Sequence, residues 1–91
     1  MTCHSTIAGL AREWNRIVDV PHDEFVRFNR AYRRAWASCT EAQRWAGTQA
    51  ETLARRRCDD DIRALRAIVG AAQAREGTQD ESPSALRGGA S

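Results

Sequence analysis

Lysine is absent from this sequence of 91 residues, so all fourteen of its basic side chains are arginine. Arginine and alanine codons are rich in G and C, and lysine codons are not, so this bias is typical of a GC-rich genome and does not in itself indicate a need for guanidinium groups. The net charge is only +2 and the pI is near 8.7. Domains that bind nucleic acid often have a pI above about 9. The charge therefore gives weak support to a nucleic-acid binder.

Residues that interrupt helices and residues that build large cores are both scarce. The chain has six glycines and two prolines, and Leu, Ile, Val and Phe together make 14 of 91 residues, against 16 alanines. Alanine has the highest helix propensity. A chain of this length buries a modest core and often needs help from a partner. The composition predicts an all-α protein with a thin core.

The sequence also lacks closely spaced cysteine pairs and long apolar runs. The three cysteines are an odd number without a CxxC pair, so their spacing indicates neither a disulfide framework nor a zinc knuckle. We find no signal-peptide pattern and no apolar run close to the ~20 residues of a transmembrane helix. We expect a cytoplasmic protein without membrane contact. In that reducing compartment Cys3, Cys39 and Cys58 would act as small buried apolar side chains.

The spacing of apolar residues predicts three helices, near residues 5–18, 21–46 and 49–75. Pro21 suits the first turn of the second helix. The apolar residues form three successive seams, and the second continues past the predicted break to Leu53. The predicted seams are Ile7, Leu10, Ala11, Trp14, Ile17 and Val18; then Phe25, Phe28, Tyr32, Ala35, Cys39, Ala42, Ala46 and Leu53; and then Cys58, Ile62, Leu65, Val69 and Ala72.

The turn between the second and third helices has two possible placements. Gly47 and two capping boxes favour a break within residues 38–48. The alternative is one helix from 21 to 75, about 80 Å long, which would need a second chain to pack against. We predict one domain over residues 1–76, a helical bundle or hairpin of two to three helices, with coiled-coil self-association as a way to complete its core. Residues 77–91 are polar and predicted to be disordered.

No arrangement of residues indicates catalysis. The patterns GxxxxGK[ST], GxGxxG and HExxH are absent, as are paired carboxylates. The conceivable metal ligands match no known ligand spacing; they are Cys3, His4, His22, Cys39 and Cys58. We expect a protein that is not an enzyme and that carries no cofactor and no metal.

The candidate partner-binding residues lie on the second predicted helix. Arg27, Arg30 and Arg34 fall within about 60° of one another at ~100° per residue, and Trp36 and Trp45 flank them if the helix is unbroken. Arginine and tryptophan are typical of interface hot spots. The alternative is an ordinary solvated face. In the third helix, three arginines precede three aspartates over residues 55–61, which predicts i, i+4 ion pairs and weakens the positive field.

The favoured function is a small protein–protein interaction module. Size and composition fit a phage or mobile-element adaptor, or an inhibitor of a host complex. One alternative is a nucleic-acid binder that uses the arginines of the second helix. Another is a structural coiled coil, with a homodimer as the simplest assembly.

Overall fold

The computed structural model describes the backbone of residues 2–90 and the side chains of residues 2–76. Three helices follow one another, α1 (Cys3–Asn15), α2 (His22–Arg44) and α3 (Glu51–Ala90), and this part of the chain contains no strand. The helices run up, down and up, since Cys3 and His4 lie against the C-terminal half of α2 while Glu13 meets Gln73 of α3. The protein is a small all-α bundle, as predicted.

Helix α1 begins after a capping side chain, and α2 begins after a proline. Thr2 caps α1, because its hydroxyl oxygen accepts the Ser5 N–H at 3.2 Å. Pro21 precedes α2 with φ −61°, and two acidic residues occupy the first turn of that helix. Helix α1 ends at Asn15, three residues before the predicted boundary.

The chain reverses between Arg44 and Glu51 in a turn held by its own side chains. Gly47 adopts φ +83°, a left-handed conformation that glycine takes without strain. The Glu51 carboxylate accepts the Gly47 N–H at 2.8 Å and pairs with Arg55 at 2.6 Å. The alternative of one helix over residues 21–75 is therefore not formed, and the turn over residues 45–50 begins inside the predicted window of 38–48 and ends just after it.

The core follows the predicted seams of α1 and α3 and part of that of α2. Phe25, Leu53 and Val18 are exposed, by 47%, 65% and 65%, although we expected them in the seams. Ala46 is exposed as well. These four residues lie near helix ends or in the turns between helices. The buried residues are Ile7, Leu10, Trp14, Ile17, Phe28, Ala35, Ser38, Cys39, Ala42, Ala54, Cys58, Ile62, Leu65, Val69 and Ala72.

Polar side chains connect α3 to the other two helices. Arg75 forms an ion pair with the mostly buried Glu24, and Ser38 donates to Asp61. At the end of α1, the Val18 N–H donates to Glu76 at 3.0 Å. The hydrogen bond to Glu24 raises the pKa of Arg75 above its ordinary value, which keeps this side chain charged.

The i, i+4 pairs predicted within residues 55–61 are not formed among the described side chains. Arg55 pairs with Glu51 instead, and Asp60 meets Arg63 at 3.5 Å. The order with arginine before aspartate is the less favourable one on a helix. Glu51 precedes Arg55 by four residues and so offers the better orientation.

Two findings concern the rest of the chain. Within the described helices, no segment combines the length and the apolar character that crossing a membrane requires. Helix α3 continues to Ala90, but its side chains are described only to residue 76. The predicted tail over residues 77–91 therefore lies outside the fully described residues, and its disorder stays a prediction.

The turn should make stability depend on pH through Glu51. The Gly47 N–H, followed by the charge of Arg55, lowers the pKa of Glu51 below 4.5. A carboxyl with a lowered folded pKa contributes stability above its unfolded pKa, and this contribution is lost as pH falls through the folded pKa. We expect Glu51→Gln to be less stable than wild type at pH 7, with the difference shrinking below about pH 4.5. Urea unfolding across pH measures this, with Asp59→Asn as the control; a constant difference would contradict it.

Candidate protein-binding surface

A row of aromatic rings runs along the contact between α1 and α2. Trp14 stacks on Phe28 with ring centroids 4.2 Å apart, and Phe28 lies 5.9 Å from Tyr32. Tyr32 is followed by Trp36 at 6.0 Å, and Trp36 by His4 at 4.3 Å. Phe28, Tyr32 and Trp36 are spaced four residues apart, so they fall on one side of α2. Two helices thus contribute to one continuous row.

The row passes from the core to the surface. Trp14 and Phe28 are 4% and 6% exposed, Tyr32 is half-buried, and Trp36 is 41% exposed. The inner rings are fixed by the core, and the outer rings are fixed by the inner ones. An exposed tryptophan held in this way loses little conformational freedom when a partner covers it.

His4 is held beside Trp36 by one hydrogen bond, to the Thr40 hydroxyl. The Thr40 hydroxyl donates to the Trp36 carbonyl at 2.9 Å, and His4 Nε2 lies 3.1 Å from the same hydroxyl oxygen. A hydroxyl has only one proton, so its oxygen accepts from His4, which places a proton on Nε2. We call His4, Tyr32 and Trp36 the aromatic face.

A disulfide holds the N-terminus of α1 beside the aromatic face. Cys3 and Cys39 are joined, with their Cα atoms 6.0 Å apart, and they are the chain neighbours of His4 and Thr40. The cysteine spacing predicted no disulfide, and the Cys3–Cys39 bond shows that this prediction was wrong. Chain spacing could not show the pair, because antiparallel packing of α1 on α2 brings together residues 36 positions apart.

The border of the aromatic face is basic. Arg33 lies three residues before Trp36 on α2 and is exposed, so the two side chains are neighbours on the helix surface. Among the described side chains, Arg33 has no acidic partner within 4.0 Å. The face therefore combines exposed aromatic area with a guanidinium group available to a partner.

The structure brings the three predicted arginines together and separates them from both tryptophans. Arg27, Arg30 and Arg34 are exposed along one side of α2, and Arg27 pairs with Asp23 at 3.7 Å. Trp36 lies about 160° around the helix from Arg34. Trp45 lies in the turn after α2, where its Nε1 donates to Glu41 at 2.7 Å.

His4 and Arg33 were not predicted as surface residues, whereas Tyr32 packs against the core as its seam position predicts and also contacts Trp36. Tyr32 was assigned to the core seam, and His4 was weighed only as a metal ligand. The signal that could have found the face is the aromatic residue at every fourth position from Phe28 to Trp36.

Comparison of the chain with protein-family models, with curated proteins and with solved structures gives no match. The assignment of the candidate surface therefore rests on the side-chain contacts within this protein. The exposed aromatic area and the neighbouring Arg33 are the two features from which a function can be proposed.

Proposed function

We propose that this protein is a small, non-enzymatic protein-binding module and that the aromatic face is its binding surface. The observation that carries the proposal is Trp36, which is 41% exposed although ring contacts hold it on two sides. Pre-ordered tryptophan and arginine side chains are the residues that most often dominate interface energies. A protein surface offers contacts for both groups.

The proposed partner offers an apolar contact for the indole ring and a carboxylate for Arg33. Arginine binds a carboxylate through two parallel hydrogen bonds, and this fixes the orientation of the partner. A role as a cytoplasmic phage or mobile-element adaptor, or as an inhibitor of a host complex, stays part of the proposal. Formation of a homodimer is the alternative assembly.

The test compares two tryptophans with equal exposure. Trp36 and Trp45 are both 41% exposed, but only Trp36 belongs to the aromatic face. The partner is the protein recovered stoichiometrically from the native cell, and it is then purified for affinity measurements. We expect Trp36→Ala to weaken binding at least ~30-fold, as for a hot spot of about 2 kcal/mol. Trp45→Ala should stay within about threefold of wild type.

Two further results complete the experiment. Arg33→Glu should also weaken binding, because it places a negative charge opposite the partner's carboxylate. Wild-type affinity in Trp36→Ala, with helicity unchanged in circular dichroism, would contradict the proposal. Loss of binding in Trp45→Ala alone would move the surface to the turn.

A second candidate function is nucleic-acid binding. It is favoured by the exposed side of α2 on which Arg30 and Arg34, among the described residues, have no acidic partner within 4.0 Å. Contacts from Arg27, Arg30 and Arg34 to three phosphates would give a log–log salt slope near about −3. Titration of random duplex DNA at two salt concentrations distinguishes this from a protein partner, for which we expect a flatter response. Replacing all three arginines by glutamate should abolish DNA binding and leave protein binding intact.

A further inference from the structure

The three cysteines of the chain meet at one level of the bundle, and each helix supplies one of them. Their sulfur atoms all lie within 4.8 Å of one another. Cys39 and Cys58 are 0% and 3% exposed, and Cys3 is half-buried in the first turn of α1. Cys58 is the free thiol beside the Cys3–Cys39 disulfide. The fold has thus collected three soft ligands that are far apart in the sequence.

Reduction converts this cluster into three thiols. Two molecules of a small cellular thiol reduce the disulfide, giving the thiols of Cys3 and Cys39 and one oxidised disulfide of the reductant. Sulfur atoms bound at about 2.3 Å to a common centre lie roughly 4 Å apart. Since the cluster is already within 4.8 Å, only small side-chain movements are needed to surround one ion.

An ion can reach the sulfurs through a surface cavity. The cavity has a volume of about 300 Å³, and Cys3 and Cys58 both line it. Asp59 and Arg55 lie at its wall, and Arg55 already pairs with Glu51. The cavity therefore connects the solvent to the mostly buried sulfur atoms.

Charge decides which ion fits. Burying an unbalanced charge is costly, and two of the three sulfurs are almost fully buried. Three thiolates leave a net charge of −2 with a monovalent ion and −1 with a divalent ion, and they are neutral with a trivalent ion. The carboxylate of Asp59 beside the cavity makes any residual negative charge less favourable.

We propose that the reduced protein binds trivalent arsenic through Cys3, Cys39 and Cys58. Arsenous acid loses its three hydroxide groups, three As–S bonds form, and each thiol proton leaves in a water molecule. No oxidation state changes in this step. Ligand spacing along the sequence predicted no metal site, because the three cysteines come together only when the three helices pack.

The test uses the full chain reduced with a phosphine and titrated with sodium arsenite. Intact-mass measurement should show one arsenic atom gained and three hydrogens lost, and all three cysteines should resist alkylation. Cys58→Ser and Cys58→Ala, checked for helicity, should each weaken arsenite binding at least ~100-fold, because a ligand is lost. Agreement between the two variants separates ligand loss from the effect of a buried hydroxyl.

Two outcomes would overturn the proposal. Alkylation of Cys58 in the arsenite-saturated wild type would show that only two thiols are bound, a result that does not depend on the folding of any variant. Zinc binding tighter than arsenite binding to the reduced chain would show that the site does not select a trivalent ion. Arsenite affinity more than tenfold above that of zinc supports the charge argument.

Discussion

Cys3→Ser should lower the free energy of unfolding by about 4 kcal/mol under oxidising conditions. The Cys3–Cys39 disulfide joins residues 36 positions apart, and closing a loop of that length in the unfolded chain accounts for a stabilisation of this size. Cys3 is the better partner to replace, because Cys39 is fully buried and a serine there would add a desolvation cost. Small domains have a total stability of roughly 5–15 kcal/mol, so the loss is a large share.

Urea unfolding with and without a phosphine reductant measures the effect and supplies its own control. Reductant should destabilise the wild type by about the same amount and leave the double variant Cys3→Ser/Cys58→Ser unchanged, because that variant keeps Cys39 without a neighbouring thiol. Equal stability of the wild type in both conditions would show that the disulfide does not support the native state.

Leu65→Ala should destabilise the bundle by about 2–5 kcal/mol, because it leaves a cavity where Leu65 is 0% exposed. Leu53 is the matched control, since it is the same residue type on the same helix but is 65% exposed. Leu53→Ala should change stability by no more than about 0.5 kcal/mol. The comparison tests which leucine belongs to the core, since the apolar spacing had placed both in a seam.

Denaturant midpoints of the two variants give the result directly. Both should be measured without reductant, so that the disulfide is the same in each. Similar losses for both leucines would mean that Leu53 is buried in solution, for instance in a dimer. That result would favour the coiled-coil alternative.

The seams of α1 and α3 could be predicted because a run of apolar residues at helical spacing shows which side of a helix faces inward. The same spacing does not show how far the neighbouring helix extends. Phe25 has the phase of its seam, yet it lies in the first turn of α2 and remains exposed. Leu53 keeps the phase of the seam before the turn, so at the start of α3 it is out of phase with Cys58 and Ile62 and remains exposed. In α3 the buried position is taken by Ala54 next to Leu53.

The candidate surface could be predicted only in part. Trp36 was identified, and Tyr32 follows from its spacing on α2, but His4 acquires its role only when α1 packs on α2. The spacing placed Trp36 and Trp45 beside the arginines of α2 only for a helix unbroken through Trp45. The end of α2 at Arg44 removes Trp45 from this surface, and the angular positions separate Trp36 from Arg34.

The parallel arrangement of α1 and α3 has a consequence for the order of events during synthesis. Helix α1 leaves the ribosome first, but its contacts to α3 join residues about sixty positions apart, at Val18–Glu76 and Glu13–Gln73. With 13 residues, α1 is near the lower limit of an isolated stable helix. Helices α2 and α3 join residues much nearer in sequence, such as Ser38 and Asp61. Trp14 can stack on Phe28 once α2 has emerged, but we expect the nascent α1 to leave part of its apolar side uncovered until the hairpin of α2 and α3 is complete.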